Sequence, residues 1–97
     1  MRTLIKHILA ATEPQDSVTI KGWVRTRRDA KGFSFLELND GSCLANAQVI
    51  VDADTAGADL IARFTTGASA VVTGRLVASP AAGQKWELRA ARIELIG

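Results

Sequence analysis

The chain has 97 residues, of which 47% are hydrophobic and 23% charged, with a net charge of +2 and one cysteine. These values describe one ordinary globular core, exclude an internal disulfide, and do not by themselves call for a polyanionic partner. The opening stretch is too polar for a secretory signal or a membrane span, so cytoplasmic residence is expected.

The first element in chain order is a short amphipathic helix over 3–11. Leu4, Ile5, Ile8 and Leu9 fall at helical spacing there, and Pro14 ends the run. The period then changes. Over 17–28, Val18, Ile20, Gly22 and Val24 alternate with Thr19, Lys21, Trp23 and Arg25, the two-residue repeat of a half-buried strand. Gly22 in its middle predicts a bulge or a close backbone approach.

The turn Asp29-Ala30-Lys31-Gly32 leads into a second strand over 33–39, with Leu36 and Leu38 on one side and Phe33, Phe35 and Glu37 on the other. After the turn Asp40-Gly41-Ser42, a third strand is expected over 44–51. Ala45, Ala47, Val49 and Val51 face one way, and Asn46, Gln48 and Ile50 the other. Residues 52–67 read as a helix capped by Asp52 or Asp54, with Leu60, Ile61 and Phe64 sharing a face and Gly67 ending it.

A fourth strand over 68–79 carries Ala70, Val72, Gly74 and Leu76 on one side. A turn at 80–83 follows, and then a fifth strand over 84–96, in which Trp86, Leu88 and Ala90 alternate with Lys85, Glu87 and Arg89. The order β-β-β-α-β-β specifies an all-β fold of small α content, the five-stranded Greek-key barrel of the OB type, spanning 1–97 as one domain.

OB barrels bind ligands across strands two and three and the adjoining loops, so the outward residues there are the candidates. Phe35 on the non-core side either covers the hydrophobic seam or offers a ring on which a base stacks. Phe33, nearer the turn, fits the structural part. Asn46 and Gln48 present amides with both donor and acceptor, as reading a base edge needs. Glu87 either accepts from a base N–H or pairs with Lys85 or Arg89.

Lys21, Arg25, Arg27, Arg28 and Lys31 fall within eleven residues, and Arg25, Arg27 and Arg28 lie where they can hold phosphates or stack. The lone His7 and Cys43 have no partners at metal-ligand spacing. No phosphate-binding loop or nucleophile elbow occurs, so neither a catalytic site nor a metal site is expected.

The run Val18-Thr-Ile-Lys-Gly-Trp-Val-Arg-Thr-Arg-Arg-Asp29 resembles the first strand of the N-terminal anticodon-binding domain of class IIb aminoacyl-tRNA synthetases. Further stretches extend the likeness: Phe35-Leu-Glu-Leu-Asn-Asp-Gly-Ser-Cys43, Thr66-Gly-Ala-Ser-Ala-Val-Val-Thr-Gly74, Val77-Ala-Ser-Pro80 and Gln84-Lys-Trp-Glu-Leu88. The last two are similar to the asparaginyl members.

The resemblance implies an OB-fold that grips the tRNA anticodon loop, with Phe35 stacking on the central base and Gln48 reading it as uridine. Asn46 takes that position if the hairpin differs in length. The likeness further implies that Arg28 contacts the loop and that Glu87 contributes to discrimination.

ATP and Mg would serve only a class II catalytic domain, which these residues do not contain. The chain itself is therefore expected to be non-catalytic and cofactor-free, monomeric alone and a homodimer when joined to such a domain. A general single-stranded nucleic-acid binder and a protein-interaction barrel are the alternative uses of the same fold.

Overall fold

The alternation over 17–28 becomes the longest strand of a closed barrel. The computed structural model describes residues 3–11, 13–42, 45–78 and 86–97. Its elements are helix α1 (Ile5–Leu9), strands β1 (Gln15–Ala30), β2 (Phe33–Asn39) and β3 (Ala47–Asp52), a 3₁₀ helix (Ala58–Arg63), and strands β4 (Ser69–Ala78) and β5 (Trp86–Leu95). The strands close in the order β1-β2-β3-β5-β4, with β4 returning to β1. Every pairing is antiparallel except β3 with β5. The OB barrel expected from the element order is the fold observed.

The core follows from the alternation. Val18, Ile20 and Val24 of β1, Leu36 and Leu38 of β2, and Val49 and Val51 of β3 are buried, as are Val72, Leu76 and Leu88 of the closing strands. Gly22 is explained by a close approach: a Cβ there would lie 2.6 Å from the Asn39 carbonyl oxygen, so only glycine lets β1 and β2 meet at that point.

The first helix is shorter than expected. It covers Ile5–Leu9, and Ile5 and Ile8 enter the core while Leu4 serves as its N-cap residue. Just after it, the chain meets the start of β5, where the indole Nε1–H of Trp86 donates to the Ala11 carbonyl at 2.8 Å.

The second helix differs in kind. Where an α-helix capped by Asp52 or Asp54 was expected, a 3₁₀ helix starts at Gly57, whose φ of 92° is left-handed, and Asp52 ends β3 instead. Three residues per turn align Ala58, Ile61 and Phe64. Phe64 is fully buried, Ala58 is buried and Ile61 is partly so, whereas Leu60 turns out to solvent. This segment packs where β5 finishes, with the Ile93 N–H donating to the Ala56 carbonyl at 2.9 Å.

β3 also begins later than expected. Pairing with β2 stops at Leu38 with Ala47, and Ala45 is exposed rather than core-facing. The Asn39 amide takes over there, donating to the Ala45 carbonyl at 3.2 Å and to Asn46 Oδ1 at 3.0 Å. The expected turn at 80–83, Lys85 and Cys43 lie outside the described residues.

Candidate nucleic-acid interface

The outer surface of the barrel is ordered by register. An irregularity between Val24 and Thr26 makes Arg25 the extra residue of a β-bulge, since Val24 pairs with Leu38 and Thr26 already with Glu37. One added residue reverses the facing of everything after it. Arg28 therefore lies opposite Phe35, on the outer face, and Arg27 lies opposite the core residue Leu36.

Phe35 is half-buried and stays outside the core cluster. The Arg28 guanidinium carbon stands 5.5 Å from its ring centroid, and the Phe33 ring meets it edge-on at 5.1 Å and 82°. The ring is thus braced on one edge by an aromatic and attended by a solvent-exposed cation, an arrangement favoured by the ring quadrupole. An exposed arginine can swing aside, leaving the ring face to a planar base.

One step along each strand pair, Thr26, Glu37 and Gln48 form the next outward row. Gln48 is the diagonal neighbour of Phe35, because Phe35 pairs with Ile50 and Glu37 with Gln48. Diagonal side chains sit about 7–8 Å apart, within reach of a long amide. The Gln48 amide can therefore reach the space beside the Phe35 ring.

Asn46 is placed differently. Its Oδ1 accepts from Asn39, and its Nδ2 donates to Glu37 Oε2 at 3.3 Å, while Thr26 donates to Glu37 Oε1 at 3.1 Å. Both polar ends of the Asn46 amide are engaged within the protein. Glu37, which the sequence placed outward but without a role, is the hub of this network; its alternation with Leu36 and Leu38 was the available signal.

Glu87 alternates with the core residues Trp86 and Leu88 and so points outward, yet it is only 7% exposed. Arg89 Nη1 lies 3.7 Å from its Oε1. Parallel pairing of Val49 with Leu88 carries Glu87 to the β3 side of the face, next to Gln48.

Arg25 is exposed at the bulge, as are Lys21 and Lys31. Arg27 does not join them. Its Nη1 donates to the Ile61 carbonyl at 2.7 Å and its Nε lies 3.6 Å from Asp29 Oδ1, which ties β1 to the 3₁₀ segment. The structure brings Phe35, Gln48, Arg28 and Glu87 onto one face, sets Arg25 at its margin and Asn46 in its supporting network, and turns Arg27 away.

Among the described residues there is no cluster of three or more His, Cys, Asp or Glu able to hold a metal ion, and no helix is long and apolar enough to cross a membrane.

The chain is 60% identical over 96 residues to an asparagine--tRNA ligase of Oleidesulfovibrio alaskensis, a match covering 99% of this chain and 21% of that protein. It is 57% identical over 96 residues to an asparagine--tRNA ligase of Nitratidesulfovibrio vulgaris, again across 99% of the chain and 21% of the relative. The chain thus spans about a fifth of the length of these relatives.

In three dimensions it is similar to the crystal structure of asparaginyl-tRNA synthetase from Pyrococcus horikoshii. The TM-score is 0.80 at 19% identity, over 98% of this chain and 23% of that one, a likeness of fold. Residues 18–96 match the tRNA anticodon family, described as an OB-fold nucleic acid binding domain. That match spans all five strands except the start of β1, and the chain belongs to the tRNA anticodon family of OB-fold nucleic acid binding domains.

Proposed function

We propose that this chain is the anticodon-binding domain of an asparagine--tRNA ligase, and that its outer face holds the anticodon loop of the tRNA. The carrying observation is the triangle of Phe35, Arg28 and Gln48: a half-buried outward ring, a cation directly opposite it, and a long amide on the diagonal. The central anticodon base stacks on Phe35, and Gln48 hydrogen-bonds its edge as uridine. Glu87 lies one strand further and accepts from an N–H of an adjoining base. Arg28 moves off the ring to hold a phosphate, and Arg25 adds charge at the margin.

Asn46 acts by support, fixing Glu37 beside Gln48 rather than touching RNA. The high identity to asparagine--tRNA ligases supports the assignment to asparagine over aspartate.

Aminoacylation belongs to the remainder of such a ligase, where ATP and Mg would act, and this domain contributes recognition without a cofactor of its own. It works in the cytoplasm, monomeric alone and dimeric when joined to a catalytic domain.

An NMR titration of the chain with an anticodon stem-loop carrying GUU, against the same stem with a scrambled loop, tests this reading. Shifts centred on Phe35, Gln48 and Glu87 that require the GUU loop are expected. Equal responses to both loops, or shifts elsewhere on the barrel, would overturn it.

A further inference from the structure

The row that begins with Arg28 and Phe35 does not end there. Phe35 pairs with Ile50, Ile50 with Arg89 across the parallel junction, and Arg89 with Arg75 on β4. All five face outward: Phe35, Ile50, Arg89 and Arg75 each adjoin a core residue along the strand, and Arg28 shares the outer face of its partner Phe35. Ile50 is only 8% exposed yet lies outside the core cluster, so it forms an apolar floor between the ring and the two arginines.

Arg75 and Arg89 are direct cross-strand partners of like charge, an arrangement that destabilises a sheet. Glu87, at 3.7 Å from Arg89, offsets one of the two charges. Arg75 is exposed and, among the described residues, has no carboxylate within ion-pair distance. A repulsive pair with one charge uncompensated, set in register with a stacking ring, is suited to a ligand that brings negative charge.

We propose that Arg75 and Arg89 form a second phosphate site of the RNA-binding face, for a backbone phosphate of a nucleotide neighbouring the one stacked on Phe35. This rests on the reading of the face as an RNA site. Three interstrand steps separate Phe35 from Arg75, about 14 Å at about 4.8 Å per step, so the nucleotide stacked on Phe35 is not the one whose phosphate Arg75 holds. Arg28 at one end of the row and the Arg75–Arg89 pair at the other would fix the strand across the barrel, while Glu37 and Glu87 in the parallel row repel phosphate and leave that row to base edges.

The test measures binding of the GUU stem-loop across a salt series, for the unaltered chain and for Arg75→Ala, Arg89→Ala, the double variant and Phe35→Ala. A melting curve for each variant confirms that it is folded. Loss of each arginine that holds a phosphate should make the fall of log K with log salt shallower by about 0.7.

A single neutral methylphosphonate, moved along the loop, separates a local contact from a diffuse field. One position should weaken the unaltered chain while leaving the double variant indifferent. An unchanged slope in the double variant, with binding weakened in Phe35→Ala, overturns the phosphate site and leaves the RNA face standing. Absence of stem-loop binding by the unaltered chain overturns both. A changed slope with no position-specific methylphosphonate effect also overturns the site, because it assigns the arginines to long-range attraction alone.

Discussion

Arg28 stands directly across the β1–β2 ladder from Phe35, with its guanidinium 5.5 Å from the ring centroid, and it does so only because Arg25 bulges out of the strand. Without that extra residue Arg28 would point into the barrel and Arg27 outward. We expect Phe35→Ala to weaken stem-loop binding by about 1–3 kcal/mol, the worth of one base stack. Stability should change little, because Phe35 is outside the core cluster. Paired binding and melting curves check this. A variant that melts several degrees lower while its folded fraction binds RNA normally would place the ring in the core and remove the stacking platform.

Gln48 and Asn46 separate two amides that the alternation made equivalent. Asn46 has both ends engaged by Asn39 and Glu37, whereas Gln48 is the diagonal neighbour of Phe35. Gln48→Ala is expected to cost about 1–3 kcal/mol when the central base is uridine and much less when it is another base. Asn46→Ala should weaken all loops alike and lower the melting temperature slightly. Binding curves against loops differing only at the central base distinguish the two. A base-dependent loss in Asn46→Ala would exchange their roles.

The parts of the fold legible in the sequence were those written in side-chain period. Val18, Ile20 and Val24 marked the inner side of β1, and Leu36 and Leu38 that of β2, all now buried. The outward placement of Phe35, Gln48 and Glu87 followed from the same period. The bulge at Arg25 is not legible, because no glycine marks it and it exists only as a register shift against β2; the face taken by Arg27 and Arg28 therefore cannot be assigned from the sequence. The 3₁₀ character is not legible either: Ile61 and Phe64, three apart, suit both periods, and Leu60, four before Phe64, points to an α-helix although it is exposed. Arg75 and Arg89 are partners only through the β4–β5 register, with its shift between Thr73 and Gly74, and no local pattern encodes that.

Arg27 provides a charge whose loss should leave RNA binding unaffected. Its hydrogen bond to the Ile61 carbonyl at 2.7 Å satisfies a backbone acceptor in the 3₁₀ segment and fastens it to β1. Arg27→Ala is expected to lower stability by about 1–2 kcal/mol, since a hydrogen bond from a charged donor is lost at a partly exposed site. That corresponds to about 4–8 °C in melting temperature per kcal/mol for a domain of this size. The slope of RNA affinity against salt should stay as it is, in contrast to Arg28→Ala, which should flatten it. A flattened slope for Arg27→Ala would show that the side chain leaves Ile61 to meet phosphate.

Asp40 joins α1 to the β2–β3 hairpin, and its charge should make that joint sensitive to acid. Its Oδ2 accepts from the Ile5 N–H at 2.9 Å, capping from another element a helix whose own N-cap residue, Leu4, offers no side-chain acceptor. Its Oδ1 accepts from the Ser42 N–H at 2.9 Å and from the Ser42 hydroxyl, whose oxygen in turn accepts from the Lys6 N–H at 3.0 Å. Burial alone would raise the carboxyl pKa, but the hydrogen bonds from Ser42 and Ile5 outweigh it and hold the group below its ordinary 3.8. The folded chain therefore binds the proton less readily than the unfolded chain. The carboxylate's stabilisation is complete above the ordinary value and is lost as pH falls from there through the depressed folded value. Asp40→Ala is expected to cost about 1 kcal/mol at neutral pH, as removal of a helix cap does. Denaturant unfolding of both forms at a series of pH values checks the sign: the difference should be constant down to about pH 4 and narrow below it. A difference that persists unchanged in stronger acid would mean that the shape of the side chain, and not its charge, holds α1 against the barrel.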